Sequence, residues 1–162
     1  MADIISVYGK LLLEAMGQTL IMAFYSLIFA SIIGLIFGML SVLKSKVCNV
    51  IAQVFVDIIR GVPMIVLAFF VFFGVPYALK NFLHSTFTFT ALQAGIICLS
   101  LNCGAYMSEI IRGGIQSVDK GQMEAARSLG LPYWRSMQRV VLPQAIKTMI
   151  PSIINQFIIT LK

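Results

Sequence analysis

Residues 123–143 read MEAARSLGLPYWRSMQRVVLP. From Met123 to Leu129 the segment is charged and alanine-rich, yet it lies in a chain that is 59% hydrophobic and only 11% charged. An ordinary soluble domain carries about 25% charged residues. A chain this apolar cannot cover a soluble surface, so much of it has to face lipid. The quoted segment then marks where the chain leaves the lipid. At 162 residues the length is that of one domain. A net charge of +6 would form a basic stripe on a polar surface in a nucleic-acid binder. Here the charges sit between apolar runs, which is a membrane pattern with no nucleic-acid partner implied.

Outward from the segment, residues 15–43, 61–79 and 81–108 contain no Asp, Glu, Lys or Arg. A spanning helix needs about 20 such residues. The polar run NFLHST at 81–86 reads as a loop, and a shorter apolar segment closes the chain. The expected fold is an all-α membrane protein, a polytopic bundle of about four spanning helices near 17–42, 60–79, 87–109 and 144–161. A further helix near 120–129 lies outside the membrane. No cleavable leader is expected, since the first apolar run starts after Glu14 without a basic cluster before it. With the N-terminus outside, nine of the twelve Lys and Arg residues fall on the inner side and only Lys10, Lys80 and Lys162 on the outer one. The excess of inner positive charge selects that orientation and makes the opening segment cytoplasmic.

Ser26, Ala30, Gly34 and Gly38 recur every four residues and lay a stripe of small side chains along the first helix. Such a stripe lets another helix approach closely. Pro63, Gly74, Pro76 and Pro151 lie in or beside spans, where broken helices either line a transport path or are structural kinks. Cys48, Cys98 and Cys103 have no metal-ligand spacing, and His84 is the only histidine, so no metal site is expected. No glycine loop for phosphate and no nucleophile–base constellation is present.

The segment itself predicts two helices and a tight stop. Asp119 is a good N-cap, and Gln122 three residues on resembles a capping box. Met123, Ala126 and Leu129 are three apart and share a face. Gly130 fits the left-handed position that ends a helix, and Pro132 fits the first turn of the next one, which carries YWRSMQRVV to Leu142 and Pro143. A helix this short is marginal alone and must pack on something. Small Ala125 and Ala126 suit a protein surface better than lipid, where bulky aromatic and basic side chains would serve.

Glu124-Ala125-Ala126, three residues, Gly130, nine residues, Val140, one residue and Leu142-Pro143 resemble the EAA loop of ABC importer permeases, EAA-x3-G-x9-I-x-L-P, with Val for the usual Ile. FVDIIRGVPMIV at 55–66 is similar to the E-x-x-R-G-T-P segment of the polar amino acid permeases, with Asp57 for Glu and Val62 for Thr. NCGAYMSEIIRGGIQSVDKGQMEAARSLG at 102–130 resembles the same subfamily, with Cys103 where Ser or Thr is common. INQFIITLK at 154–162 looks like the stretch before its last helix. The resemblance implies the five-helix inner-membrane permease of a polar amino acid importer in a bacterium, here without its final helix. It further implies a separate ATPase that binds ATP and Mg, an extracytoplasmic amino-acid-binding protein and a second permease copy or paralogue, with no cofactor or catalytic residue in this chain. Glu124, Ala125, Ala126, Leu129, Gly130, Pro132, Leu142 and Pro143 would couple the ATPase to the bundle.

Ionisable groups at membrane depth are functional candidates. Asp57 and Arg60 are three apart, as are Glu109 and Arg112, and each pair reads as a local ion pair at a helix end. Asp57, Arg60 and Pro63 also read as a substrate path, because a zwitterionic amino acid needs both charge signs beside a broken helix. Asn102 in the third span is a further path candidate, or a helix–helix hydrogen bond. Two other functions stay open on the residues alone. A passive channel would need no coupling helix, a permease could also serve another small solute, and a membrane-embedded enzyme would need clustered acidic or histidine residues.

Overall fold

The computed structural model describes residues 2–43, 45–83 and 87–161. His84, Lys44, Lys162 and the end of the expected 81–86 loop lie outside the described residues, and residues 81–83, expected as loop, are helical. Among the described residues all regular structure is helical: α1 (Ala2–Leu40), α2 (Lys46–Gly61), α3 (Met64–Phe69), α4 (Val75–Leu83), α5 (Ala91–Gln116), α6 (Lys120–Ser128), α7 (Tyr133–Ser136) and α8 (Leu142–Leu161). A π-helical turn, Phe70–Gly74, joins α3 to α4, and a second, Met137–Val141, joins α7 to α8.

Each π turn lies just before a proline. Pro76 and Pro143 have no N–H, and their rings crowd the carbonyl four residues back. Widening the preceding turn relieves this. Val75 then donates to the Phe70 carbonyl and Leu142 to that of Met137, bonds five residues long. Both helices therefore continue through their proline. Pro63 behaves differently: Val62 and Pro63 are both extended, at φ −96°, ψ 130° and φ −54°, ψ 137°, so the chain breaks between α2 and α3. The second expected span thus starts at Met64 rather than residue 60, because the residue before a proline is driven out of helical conformation.

Among the described residues three helices are long and apolar enough to cross a membrane: Tyr8–Leu40, Met64–Phe82 and Ala91–Gln116. The first is longer at its N-terminal end than the expected 17–42. Nothing between Tyr8 and Gly17 stops a helix, although Lys10 and Glu14 interrupt the apolar run there. The third runs to Gln116 rather than 109 for the same reason, and begins at a capping box in which Thr90 and Gln93 exchange side-chain and backbone bonds. The expected fourth span is a helix of the required length, 20 residues, but it carries Gln144, Lys147, Ser152, Asn155 and Gln156. Among the described residues it does not qualify by length and apolarity together, and three helices meet both conditions.

The core is built on α1 and α5. Ser26 and Ala30 are fully buried, and the Ser26 hydroxyl donates to the Ile96 carbonyl at 3.3 Å. A Cβ on Gly34 would lie 2.4 Å from that of Met107, and one on Gly104 would lie 2.7 Å from Ile33 Cγ2. Only small residues allow this approach, and the stripe read from the sequence is the contact surface. Met22 meets Gly95, Gly34 meets Met107 and Gly38 meets Ile111, so numbers rise together and the two helices run the same way. The segment between them runs back: Arg60 pairs with Glu109, while the Cys98 thiol donates to the Met64 carbonyl at 3.7 Å. Helix α8 also runs back along α5, with Met149 against Gly114 and Thr160 donating to Cys103 Sγ at 3.4 Å. The bundle alternates in direction as membrane topology requires, and Phe37 stacked on Phe55 at 3.9 Å holds α2 against the end of α1.

Candidate functional site

Helix α6 is stopped with near-ideal geometry. Gly130 has φ 83°, a left-handed value that glycine reaches without a Cβ penalty. Its N–H donates to the Arg127 carbonyl at 3.0 Å, and that of Leu131 to the Ala126 carbonyl at 3.3 Å. These are the two bonds of a Schellman motif, with Leu129 at the cap. At the other end Asp119 caps the helix, its carboxylate accepting from the Gly121 N–H at 2.6 Å. The expected capping box does not form. The Gln122 side chain instead accepts from the amide of Gln144 on α8, at 3.3 Å. Pro132 is the residue before α7 rather than within its first turn, at φ −65° and ψ 153°.

Ser136, absent from the sequence reading, ties this turn together. It is fully buried, and its hydroxyl donates to the Pro132 carbonyl at 3.2 Å. A serine four residues after a proline, placed to donate back to that residue's carbonyl, is the signal that could have revealed it.

The helix does not depend on a partner for its whole apolar face. Met123 packs against the cluster of Ile111, Ile115, Met137, Val141, Ala145 and Met149 at the ends of α5 and α8, and Ala126 is buried. Leu129, expected on that same face, is 84% exposed. It follows the last helical residue, where the chain turns away. Glu124 and Ala125 are exposed as well, and among the described residues Glu124 makes no ion pair. The outward surface of the segment is therefore Glu124, Ala125 and Leu129, held rigidly from behind. Leu142 and Pro143 are the first two residues of α8, in the continuous helix that carries this surface into the bundle.

The charged candidates form one group rather than two. Arg60 does not turn back to Asp57 on its own helix. It reaches across to Glu109 on α5, and its guanidinium lies 4.6 Å from the centre of the Tyr106 ring. Glu109 also meets Arg112, at 3.7 Å. Asp57 lines a small polar cleft of ≈ 100 Å³ with Gln53, Ser108, Glu109 and Arg112. Pro63 caps α3, its carbonyl accepting from Val66 and Leu67 at 2.9 and 3.1 Å. Asn102 is half-buried on α5, seven residues from Glu109, or about 10 Å along the axis, and is not part of the cluster. Among the described residues no group of His, Cys, Asp or Glu could hold a metal ion.

Residues 30–162 match the family model for the inner membrane component of binding-protein-dependent transport systems. The chain is 40% identical over 159 residues to a putative glutamine transport system permease protein, GlnP, of Rickettsia prowazekii (strain Madrid E), covering 96% of this chain and 69% of that protein. It is 36% identical over 152 residues to the glutamine transport system permease protein GlnP of Escherichia coli (strain K12), covering 94% and 67%. Its backbone superposes on an amino acid ABC transporter crystallised with histidines at a TM-score of 0.85, with 34% identity over 97% of this chain and 70% of the other.

Proposed function

Because the chain belongs to the family of binding-protein-dependent transport system inner membrane components, we propose that it is the permease subunit of an ATP-driven importer of polar amino acids, with glutamine the first substrate to test. The observation that carries the coupling role is the rigid outward surface of α6. An apolar side chain as large as Leu129, left 84% exposed at a fixed stop between two helices, suits a groove on a soluble protein. In this reading the partner is an ATPase that binds ATP and Mg and performs all hydrolysis. Its closing motion is passed through α6 into α5 and, through the continuous α7–α8 helix, into the bundle. An extracytoplasmic binding protein delivers the amino acid, and a second permease copy or paralogue completes the path. The permease lies in the bacterial plasma membrane with its N-terminus outside and α6 in the cytoplasm. Asp57, Arg60, Pro63 and Asn102 border the route of the substrate.

The test is reconstitution of the permease with its ATPase and binding protein in vesicles, with uptake of radiolabelled glutamine and other polar amino acids measured with and without ATP. ATP-dependent uptake is expected. Flux that needs no ATP would replace the importer with a channel. Within that system, Leu129→Asp is expected to weaken ATPase binding by tenfold or more, since seating one leucine contributes about 1.5–3 kcal/mol and about 1.4 kcal/mol is a factor of ten. Its thermal stability should stay as in the wild type, because the side chain is not buried in the permease. Unchanged co-purification of the ATPase would remove Leu129 from the docking surface.

A further inference from the structure

We propose that Arg60 and Tyr106 are positioning residues of the transport step: with Glu109 and Arg112 they form a clamp that hands movement of α6 to the broken helix at Pro63. The proposal rests on the importer reading above. Helix α5 ends at Gln116 and α6 begins at Lys120, so displacement of α6 is delivered to the last turns of α5. Glu109 and Arg112 lie in those turns. Arg60 is the last residue but one of α2, immediately before the extended Val62–Pro63 break. Among the described residues the two ion pairs meet at Glu109, one oxygen to Arg60 across the helices and the other to Arg112 on its own.

Two properties make this a link rather than a weld. The three charged side chains are 34–37% exposed, wet enough to separate and re-form, and pairs of that exposure hold weakly. The guanidinium is kept in place by the Tyr106 ring at 4.6 Å, a contact that favours a planar cation over a ring face. Asp57, three residues before Arg60 and free of any ion pair among the described residues, is the carboxylate to which Arg60 turns when the clamp opens. The clamp thus has two arrangements, and the coupling helix sets which is occupied.

The experiment uses the reconstituted importer, a mixture of radiolabelled polar amino acids including glutamine, and the ratio of substrate moved to ATP hydrolysed. Arg60→Gln and Glu109→Gln are each expected to lower that ratio about tenfold, within the ordinary range of a coupling free energy, while ATP hydrolysis continues. The double variant should be no worse than the worse single one, because both remove the same contact. Tyr106→Phe keeps the ring face and should behave as wild type, whereas Tyr106→Leu should fall with Arg60→Gln. An unchanged ratio in the single variants, losses that multiply in the double variant, or a wild-type ratio in Tyr106→Leu would each overturn the clamp. A wild type that moves no amino acid overturns the importer reading itself, and the clamp with it.

Discussion

Gly34→Val is expected to destabilise the bundle strongly, with the folded-to-unfolded ratio in detergent falling about a hundredfold. A Cβ at residue 34 lies 2.4 Å from the Cβ of Met107 and 3.2 Å from the carbonyl oxygen of Gly104. Neither obstacle is the free end of a side chain, so no rotamer change makes room. Helices α1 and α5 must separate, and the burial of Ala30 and Ser26, one and two turns away, is lost with them. Overpacking of this kind costs about 1–3 kcal/mol and sometimes more, and about 2.7 kcal/mol is a factor of a hundred. Gly17→Val on the same helix is the control, since nothing lies within 4 Å of its added Cβ. Thermal unfolding of both variants in detergent checks the claim, and equal melting temperatures for the two would refute the close packing.

Gly130 acts by a different mechanism. No atom lies within 4 Å of a Cβ there, yet its φ of 83° strains any L side chain. Left-handed backbone costs an ordinary residue about 1–2 kcal/mol, and asparagine much less because its side chain bonds locally. A β-branched residue is the worst choice for this conformation. Gly130→Val is therefore expected to break both Schellman bonds, release α6 from its fixed angle and abolish ATP-driven uptake. Gly130→Asn should transport within a few-fold of wild type. Both variants should insert as wild type, because the α1–α5 core lies elsewhere. Co-purification of the ATPase and uptake in the same vesicles separate the outcomes. A valine variant that behaves like the asparagine one would show that the left-handed stop is dispensable.

These two glycines also show how far the sequence was legible. The four-residue stripe through Gly34 announced a close helix contact, but not that its partner was α5, with Gly104 receiving Ile33 in return. Gly130 was readable because a helix stop is a local event, decided by one residue's backbone. Local reasoning failed where a distant group competed. Arg60 and Asp57 were paired by their spacing, but Glu109, 49 positions away in sequence from Arg60, offered a carboxylate across the helix gap, beside an aromatic face that holds the guanidinium. Gln122 left its capping box for Gln144 for the same reason. The apolar face of α6 was seen correctly in Met123 and Ala126, but its cover turned out to be the protein's own core. Helix ends were missed by many residues in α1 because apolarity stops where lipid stops, while hydrogen bonding continues.

The π turn at Met137–Val141 has a consequence for comparing related chains. It holds one residue more than an α-turn would need, so a helical wheel drawn unbroken from Tyr133 to Leu161 slips by one position after Val141. A stripe on α7 does not continue on α8 at the spacing that α-helical counting requires. Conversely, a relative lacking one residue between Ser136 and position 143, and lacking the proline at 143 as well, could keep both faces in place by closing the bulge. An alignment gap of one within this segment would then be silent in three dimensions, whereas the same gap in α5 would turn every contact with α1 by 100°.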